Sequence, residues 1–140
     1  MNILAIDHGT KRIGLAVGST ETGTAAPLKV LDHHGEAGLI EDIKAVIASE
    51  GVEHVVLGLP LSEAGGRTEQ EAVVRAFAAR LEEALTIPVI LEDERLSSRE
   101  IEAHMERMGG RKAWKASGLD RDTAAATLFL QTYLDKMKTE

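Results

Sequence analysis

The sequence contains no cysteine, and its aromatic residues are limited to one Trp, one Tyr and two Phe among 140 residues. Without cysteine the protein can form no disulfide and has no thiolate for catalysis or metal binding. So few aromatic side chains indicate a core built from aliphatic residues. No apolar run approaches the roughly 20 residues that cross a bilayer, and no basic region precedes an apolar stretch at the N-terminus, as in a signal peptide. These absences predict a cytoplasmic protein with no membrane segment.

Length and charge narrow the class of protein further. A chain of 140 residues suits one domain with one core, so we expect a single domain over residues 1–140. The formal net charge of −7 argues against binding nucleic acid through the overall field of the protein. A local basic patch is still compatible with that charge, and the C-terminal third of the sequence contains one.

The basic segment lies between residues 107 and 121 and includes a glycine pair at 109 and 110. It carries five positive charges against one negative charge: Arg107, Arg111, Lys112, Lys115 and Arg121 against Asp120. A basic segment with an interleaved aromatic residue, Trp114, is typical of contacts that follow a nucleic-acid backbone and stack on a base. A solvated loop would have a similar composition. The residues expected to contact nucleic acid are Arg111, Lys112, Lys115 and Trp114.

The apolar patterning predicts an α/β fold. Apolar runs and alternation indicate five strands: near residues 3–6, near 13–17, at Thr24–Leu31, at His54–Leu59 and at Pro88–Leu91. Helical spacing of apolar residues predicts helices in the intervals after the third strand, giving the order β-β-β-α-β-α-β-α-α. We therefore expect one five-stranded mixed sheet, with three antiparallel strands first and right-handed parallel crossovers after them. Helices should flank this sheet.

Pro27 in the third strand predicts an edge position or a bulge. Val73 falls in the apolar stripe of the second helix, and a short third helix is expected near residues 101–108. The apolar face of the last helix is predicted to consist of Ala124, Ala125, Leu128, Phe129 and Tyr133.

Three acids occupy the ends of predicted elements. Asp7 follows the first apolar run, Glu94 follows the last strand, and Asp122 falls in the first turn of the last helix. A buried carboxylate is costly unless something compensates its charge, although Asp7 could also simply cap the turn that follows it. If the three acids meet at one edge of the sheet, they form a site of oxygen ligands. Such a site suits Mg²⁺ or Mn²⁺, and two such ions would serve phosphodiester hydrolysis.

Other polar residues could indicate a histidine metal site or a hydroxyl nucleophile, but their positions in the sequence favour simpler roles. The histidine pair at 33 and 34 could bind a metal, but its Asp and Gly neighbours favour a solvated loop. Thr10, Ser97 and Ser98 are expected to cap turns and helices, because no histidine base is positioned near them in the sequence. Lys11 or Arg95 could stabilise the charge that develops on a phosphate.

Four stretches together resemble the YqgF/RuvX family, which has an RNase H-like fold. They are AIDHGTKRIGLAVG at 5–18, VVLGLPL at 55–61, EDERLSS at 92–98 and DTAAATLFLQTYLD at 122–135. The resemblance covers essentially the whole chain. It implies that the catalytic acids are Asp7, Glu94 and Asp122, with Asp93 as a fourth candidate ligand.

The resemblance also implies a metal-dependent nuclease. Members of the family are described as Holliday junction resolvases or as nucleases that process pre-16S rRNA. We favour processing of the 5′ end of pre-16S rRNA, since the resolvase assignment is an analogy between folds; four-way junction DNA is the alternative substrate. Such a protein would act as a monomer or a weak homodimer.

Two other classes of function are compatible with parts of the sequence. The D-x-G-T opening followed by Lys11 also resembles the first phosphate loop of the actin, sugar kinase and Hsp70 superfamily. Those proteins close two such domains over ATP, whereas one is expected in this chain. A binding module that has lost its chemistry is the third possibility, and the retention of all three acids argues against it.

Overall fold

A computed structural model describes residues 1–9, 11–59, 69–93, 106–107, 109–110 and 121–138, with the backbone alone at residues 93, 121 and 122. The elements of this part of the chain are β1 (Asn2–His8), β2 (Arg12–Ser19), β3 (Thr24–Asp32), α1 (Glu36–Glu50), β4 (His54–Leu59), α2 (Glu69–Ala84), β5 (Val89–Asp93) and α3 (Arg121–Lys138). None of the helices described is long and apolar enough to cross a membrane.

The strands form one mixed sheet in the order β3-β2-β1-β4-β5. β1 pairs antiparallel with β2, which pairs antiparallel with β3. On its other side β1 is parallel to β4, and β4 is parallel to β5. The predicted sheet, with three antiparallel strands followed by parallel crossovers, is therefore confirmed. β1 is its central strand and has a hydrogen-bonded neighbour on both sides.

Side-chain alternation along the strands divides the core into two layers, because successive residues of a strand point to opposite faces. One layer of the core lies between the sheet and helices α1 and α2. Its buried residues include Leu4, Ile6, Ile13, Leu15 and Leu57 of the strands and Leu39, Ile43, Phe77 and Leu81 of the helices. The other face packs against α3; its buried residues are Ile3, Ala5, Ala16, Val56, Ala126, Phe129, Leu130 and Leu134. The sheet is therefore covered on both sides, as a parallel crossover fold requires.

The edge strand β3 contains an irregularity at its proline. The sequence predicted that Pro27 would lie on an edge strand or at a bulge, and both are observed. The register shifts between Leu15 and Ala16 of β2, which pair with Lys29 and Pro27, so that Leu28 is the extra residue. Proline has no N–H to donate to a ladder, and an edge strand with a bulge accommodates that loss.

Strand β5 extends further than its apolar residues indicated. Its predicted end was Leu91, but pairing with β4 continues as Gly58 with Glu92 and Leu59 with Asp93. It begins at Val89 rather than at Pro88. Backbone pairing continues beyond the apolar run because the neighbouring strand β4 remains in register to its own end.

The end of α1 agrees with the glycine that follows it. α1 ends before Gly51, which has a left-handed φ of 62° and donates its N–H to the Ile47 carbonyl. Gly109 and Gly110, expected to interrupt the pattern of the chain, also have positive φ, of 97° and 94°.

One residue of α2 lies on a different face from the one predicted. Val73 was assigned to the buried stripe of this helix and is instead 48% exposed. The predicted helix near residues 101–108 lies mostly outside the described residues.

The buried face of α3 is shifted relative to the prediction. Leu128 and Phe129 are buried as expected, but Ala124, Ala125 and Tyr133 are only half-buried. The buried positions that were missed are Thr123, Ala126, Thr127, Leu130 and Leu134. The Thr127 hydroxyl donates to the Thr123 carbonyl oxygen at 2.6 Å, within the helix. Because this bond satisfies the hydroxyl, a polar residue can lie on the buried face and obscure its pattern.

His8 is a polar residue inside the core on the α1/α2 face. It is 7% exposed, and its ring centroid lies 4.7 Å from that of Phe77 and 5.4 Å from that of His33. Its Nδ1 is buried and has no hydrogen-bond partner among the residues described. Burial lowers the pKa of His8, the nearby His33 lowers it further, and Glu36 partly opposes both effects. His8 is therefore a neutral core residue at physiological pH.

The two histidines after β3 differ in environment. His33 donates its backbone N–H to the Lys11 carbonyl at 2.9 Å and is partly buried against the His8 ring. His34 is exposed. Both histidines lie in the predicted loop, but only His34 is solvated, because the ring of His33 packs against that of His8.

Glycine substitutions at two sites test how closely α3 packs on the sheet. A Cβ at Gly18 would lie 2.9 Å from Leu134 Cδ1, 3.1 Å from Leu130 Cδ2 and 3.1 Å from the Thr24 carbonyl oxygen. Gly18→Ala should therefore lower the free energy of unfolding by about 1–2 kcal/mol through overpacking. A Cβ at Gly38, within α1, would meet nothing within 4 Å. Gly38→Ala should raise it by about 0.5–1 kcal/mol. Chemical denaturation measures both; equal effects would contradict the close packing of α3.

The burial of His8 predicts a pH dependence of stability. Between its lowered pKa and about pH 6.5, the unfolded chain takes up a proton that the folded protein does not. The free energy of unfolding should therefore fall as the pH falls below about 6.5, by at most about 1.4 kcal/mol per pH unit for one group. His8→Phe should remove this component in metal-free buffer. The exposed control His34→Asn should keep the wild-type pH profile, and an unchanged profile in His8→Phe would contradict a buried neutral His8.

Candidate functional site

Asp7 lies one residue before the end of the central strand. It follows the buried Ile6 and precedes the buried His8, and its own side chain is half-buried. It alternates with Ile3 and Ala5, both of which pack against α3, so Asp7 lies on the α3 face of the sheet. His8 lies on the opposite face. Because β1 is paired on both sides, the backbone of Asp7 has little freedom to move.

The strand positions beside Asp7 carry no side chain. On one side Asp7 pairs with Gly14 of β2. On the other side, the pairing of β1 with β4 runs to Ile6 and Leu57, and the next residue of β4 is Gly58. Gly58 in turn pairs with Glu92 of β5. Asp7 and Glu92 therefore lie in one row across the sheet, about two strand spacings or roughly 10 Å apart.

Helix α3 carries Asp122 in its first turn and covers the same face of the sheet as Asp7. In its C-terminal half, Leu130 and Leu134 lie against Gly18, which pairs with Ile3 at the start of β1. A helix rises 1.5 Å per residue, so the backbone of Asp122 lies roughly 18 Å before Leu134 along the axis. The structure therefore places Asp7 and the helix that contains Asp122 on one face of the sheet.

The remaining predicted site residues are described in part. Lys11 is exposed and lies between β1 and β2. The backbone of Asp93 pairs with Leu59. The predicted residues outside the described part are Thr10, Glu94, Arg95, Ser97, Ser98, Arg111, Lys112, Trp114 and Lys115. Among the residues described, no three Asp, Glu or His side chains form a group that could hold a metal ion.

Glu92 is a second carboxylate on the α3 face of the sheet. In the sequence it begins the EDERLSS stretch that follows the apolar run of the last predicted strand. It lies 3.8 Å from Lys136 Nζ of α3, and its side chain is 29% exposed. A partly exposed ion pair at this distance contributes little to stability. Glu92 is therefore a further negative charge on the face that carries Asp7, held near the helix by Lys136.

The family model of RuvX, described as Holliday junction resolvase, matches residues 1–136. A protein of Chloroflexus aurantiacus named "Putative pre-16S rRNA nuclease" is 38% identical over 137 residues, covering 98% of this chain and 88% of the relative. A protein of Maridesulfovibrio salexigens with the same name is 38% identical over 136 residues, covering 96% and 98%.

Solved structures with a similar fold include two resolvases. RuvC of T. thermophilus in complex with Holliday junction substrate aligns with a TM-score of 0.58 at 17% identity, covering 99% of this chain and 96% of that one. The fowlpox virus Holliday junction resolvase aligns with a TM-score of 0.60 at 13% identity, covering 97% and 99%. At such identities the likeness concerns the fold alone, and it agrees with the mixed sheet described above. The family match and the curated relatives show that the chain belongs to the RuvX family of nucleases, whose RNase H-like fold agrees with these structures.

Proposed function

We propose that this chain is a single-domain, divalent-metal-dependent nuclease that hydrolyses phosphodiester bonds of structured nucleic acid. The observation that carries the proposal is the position of Asp7. It lies one residue before the end of the central strand β1, on the face covered by α3, and the first turn of α3 contains Asp122. Carboxylates from a central strand and from a helix terminus would hold the divalent cations that bind a reacting phosphodiester.

The donor set fits a hard divalent cation. Asp7 offers carboxylate oxygens, the sequence contains no cysteine, and His8 lies on the opposite face of the sheet. Oxygen ligands suit Mg²⁺ or Mn²⁺ better than Zn²⁺. The residues proposed to hold two such ions are Asp7, Glu94 and Asp122, with Asp93 as a fourth candidate. When bound, the ions would supply activation of water and stabilisation of the leaving oxygen.

The chain's own residues would orient the substrate. Asp7 is held rigidly because β1 is paired with β2 and β4. Since His8 packs against Phe77 on the other face, it is not available beside Asp7 as a general base. Lys11 and Arg95 would stabilise charge on the phosphate, the first as a point charge and the second as a planar fork. The basic segment would follow the backbone through Arg111, Lys112 and Lys115, with Trp114 stacking on a base.

Pre-16S rRNA is the proposed substrate, cut at its 5′ end. The names of the curated relatives support it, at 38% identity over nearly the whole chain. Four-way junction DNA is the second candidate, because the matching family is described as a Holliday junction resolvase. Both substrates would present phosphodiesters to the same acids, so a direct comparison of their cleavage rates is needed to distinguish them.

A side-by-side cleavage assay tests the activity and its substrate. With Mg²⁺ or Mn²⁺, the protein should cut a structured RNA carrying the 5′ precursor sequence of 16S rRNA faster than a four-way DNA junction. The products should carry 5′-phosphate and 3′-hydroxyl ends, as hydrolysis by water in a two-metal site gives. Asp7→Asn should abolish cleavage while leaving the melting temperature and most of the binding unchanged.

Two results would contradict this mechanism. Asp7→Asn cutting as fast as the wild-type protein would locate the site elsewhere or reveal a contaminating nuclease. A 2′,3′-cyclic phosphate product would mean attack by the RNA's own 2′-hydroxyl. Glu82→Gln, which neutralises an exposed carboxylate of α2, is the matched control and should retain full activity.

Metal binding should stabilise the native state. Mn²⁺ at about 100 times its Kd should add about 2.7 kcal/mol to the free energy of unfolding, because it binds the folded protein alone. Thermal melts with and without Mn²⁺ measure the shift, and Glu82→Gln should show the same shift as the wild-type protein. Asp7→Asn should lose most of it. A wild-type midpoint that does not move at millimolar Mn²⁺ would exclude the proposed metal site independently of any activity.

A further inference from the structure

Arg12 lies on the same face of the sheet as Asp7. It is the first residue of β2 and is exposed. It alternates with Ala16, which belongs to the core under α3, and with Gly18, which lies against Leu130 and Leu134 of α3. The α3 face of β2 therefore consists of Arg12 followed by three small residues. Among these four positions, only Arg12 can extend a charged group over the sheet.

The register brings Arg12 close to Asp7. Asp7 pairs with Gly14, and Arg12 is two residues away from Gly14 along β2, on the side beyond the end of β1. Such diagonal neighbours on one face lie about 7–8 Å apart. Gly14 has no side chain to separate them. A guanidinium on a long side chain can therefore reach a group bound over the Asp7 carboxylate.

The backbone of Arg12 is well fixed for such a role. Arg12 pairs with Asp32 of β3, and the next residue, Ile13, pairs with His8 of β1. The adjoining turn is tied by the hydrogen bond from His33 N–H to the Lys11 carbonyl oxygen, at 2.9 Å. Lys11, in contrast, precedes β2, so strand alternation does not determine the face of the sheet on which its side chain lies. Of the two neighbouring cations, Arg12 is the one whose direction the sheet determines.

We propose that Arg12 binds a phosphate of the nucleic acid held at Asp7 and orients it for cleavage. The guanidinium is always charged and presents a planar fork that matches two phosphate oxygens, whereas an ammonium acts as a point charge. This inference rests on the nuclease function proposed above and adds to it a positioning contact on the side of Asp7 occupied by β2. The ligand chemistry is a phosphodiester of the substrate backbone.

The opposing explanation is structural. Arg12 faces Asp32 across the β2–β3 ladder, and opposite charges in such a pair stabilise a sheet slightly. If that were the role of Arg12, then Asp32→Asn would reproduce the effects of Arg12→Ala. Lys29 provides a second control: it is exposed, and it pairs with Leu15, whose side chain belongs to the α1/α2 core, so it lies on the other face. Lys29→Ala changes the net charge by the same amount as Arg12→Ala.

The experiment compares Arg12→Ala, Arg12→Lys, Asp32→Asn and Lys29→Ala with the wild-type protein. Binding of a labelled structured RNA, and of a four-way DNA junction, is measured by fluorescence anisotropy over a series of salt concentrations without divalent metal. Cleavage of the same substrates with Mn²⁺ gives kcat and KM, and thermal melts report folding. Binding and melting are readouts that do not depend on the loaded enzyme.

Arg12→Ala should weaken binding by about 10- to 100-fold, the range expected for lost hydrogen bonds to a charged group, and should reduce the slope of log K against log salt by about 1. Arg12→Lys should recover the salt slope but not the wild-type kcat, since it restores the charge without the fork. Lys29→Ala and Asp32→Asn should match the wild-type protein in binding and cleavage. All four variants should melt within a few degrees of it.

Each other outcome overturns the proposal in a distinguishable way. If the wild-type protein cleaves and Arg12→Ala binds and cleaves equally well, Arg12 is not a substrate contact and the nuclease function stands. The same holds if Asp32→Asn has the effects of Arg12→Ala, or if Lys29→Ala weakens binding as much, which would indicate bulk charge. If the wild-type protein neither binds nor cleaves either nucleic acid, the proposed function fails and the role of Arg12 fails with it.

Discussion

Pairing of β1 on both sides is the constraint on which the rest of the structure depends. Because β2 and β4 both bond to it, the register of β1 determines the face on which each of its side chains lies. Asp7 is thereby directed to the α3 face, and His8 to the core beside Phe77. A slip of one residue would exchange the two, burying a carboxylate between helices and moving the imidazole to the site. The aliphatic run before Asp7 prevents that slip, since Leu4 and Ile6 fill one layer while Ile3 and Ala5 fill the other.

The small residues of β2 transmit this constraint to α3. With Gly14, Ala16 and Gly18 on the covered face, the helix packs so closely that a Cβ at position 18 would lie 2.9 Å from a leucine methyl. Close packing along this stripe fixes the position of α3 over the sheet. Asp122 is separated from Asp7 by more than a hundred residues of sequence, yet its helix is aligned by the same strand that pairs with Asp7.

Structural features that local sequence determines were predicted correctly. Features that depend on contacts between residues distant in the sequence were not. β4 has the predicted limits, His54–Leu59, because its apolar run is buried on both faces. Pro27 indicated an edge or a bulge through its missing N–H alone. The extension of β5 through Asp93 depends on pairing with β4, and the burial of His8 depends on Phe77 and His33. The predicted acids were assigned one by one from strand and helix ends. Arg12 was missed because its relevance appears only when the β1–β2 register is known.

The distribution of charge reconciles an acidic chain with a polyanionic substrate. Helices α1 and α2 together contain eight acidic residues against three basic ones, so these two helices carry a net charge of −5 on the face opposite Asp7. Interactions between exposed charges are screened over about 10 Å at moderate salt, and the sheet with its helical layer separates that acidic surface from the α3 face by a comparable distance. On the α3 face the local balance is different, since Lys136 lies against Glu92 and Arg12 adjoins Asp7 in the diagonal position. Under the proposed function, substrate binding would therefore depend on a few placed cations rather than on the net charge of the whole protein.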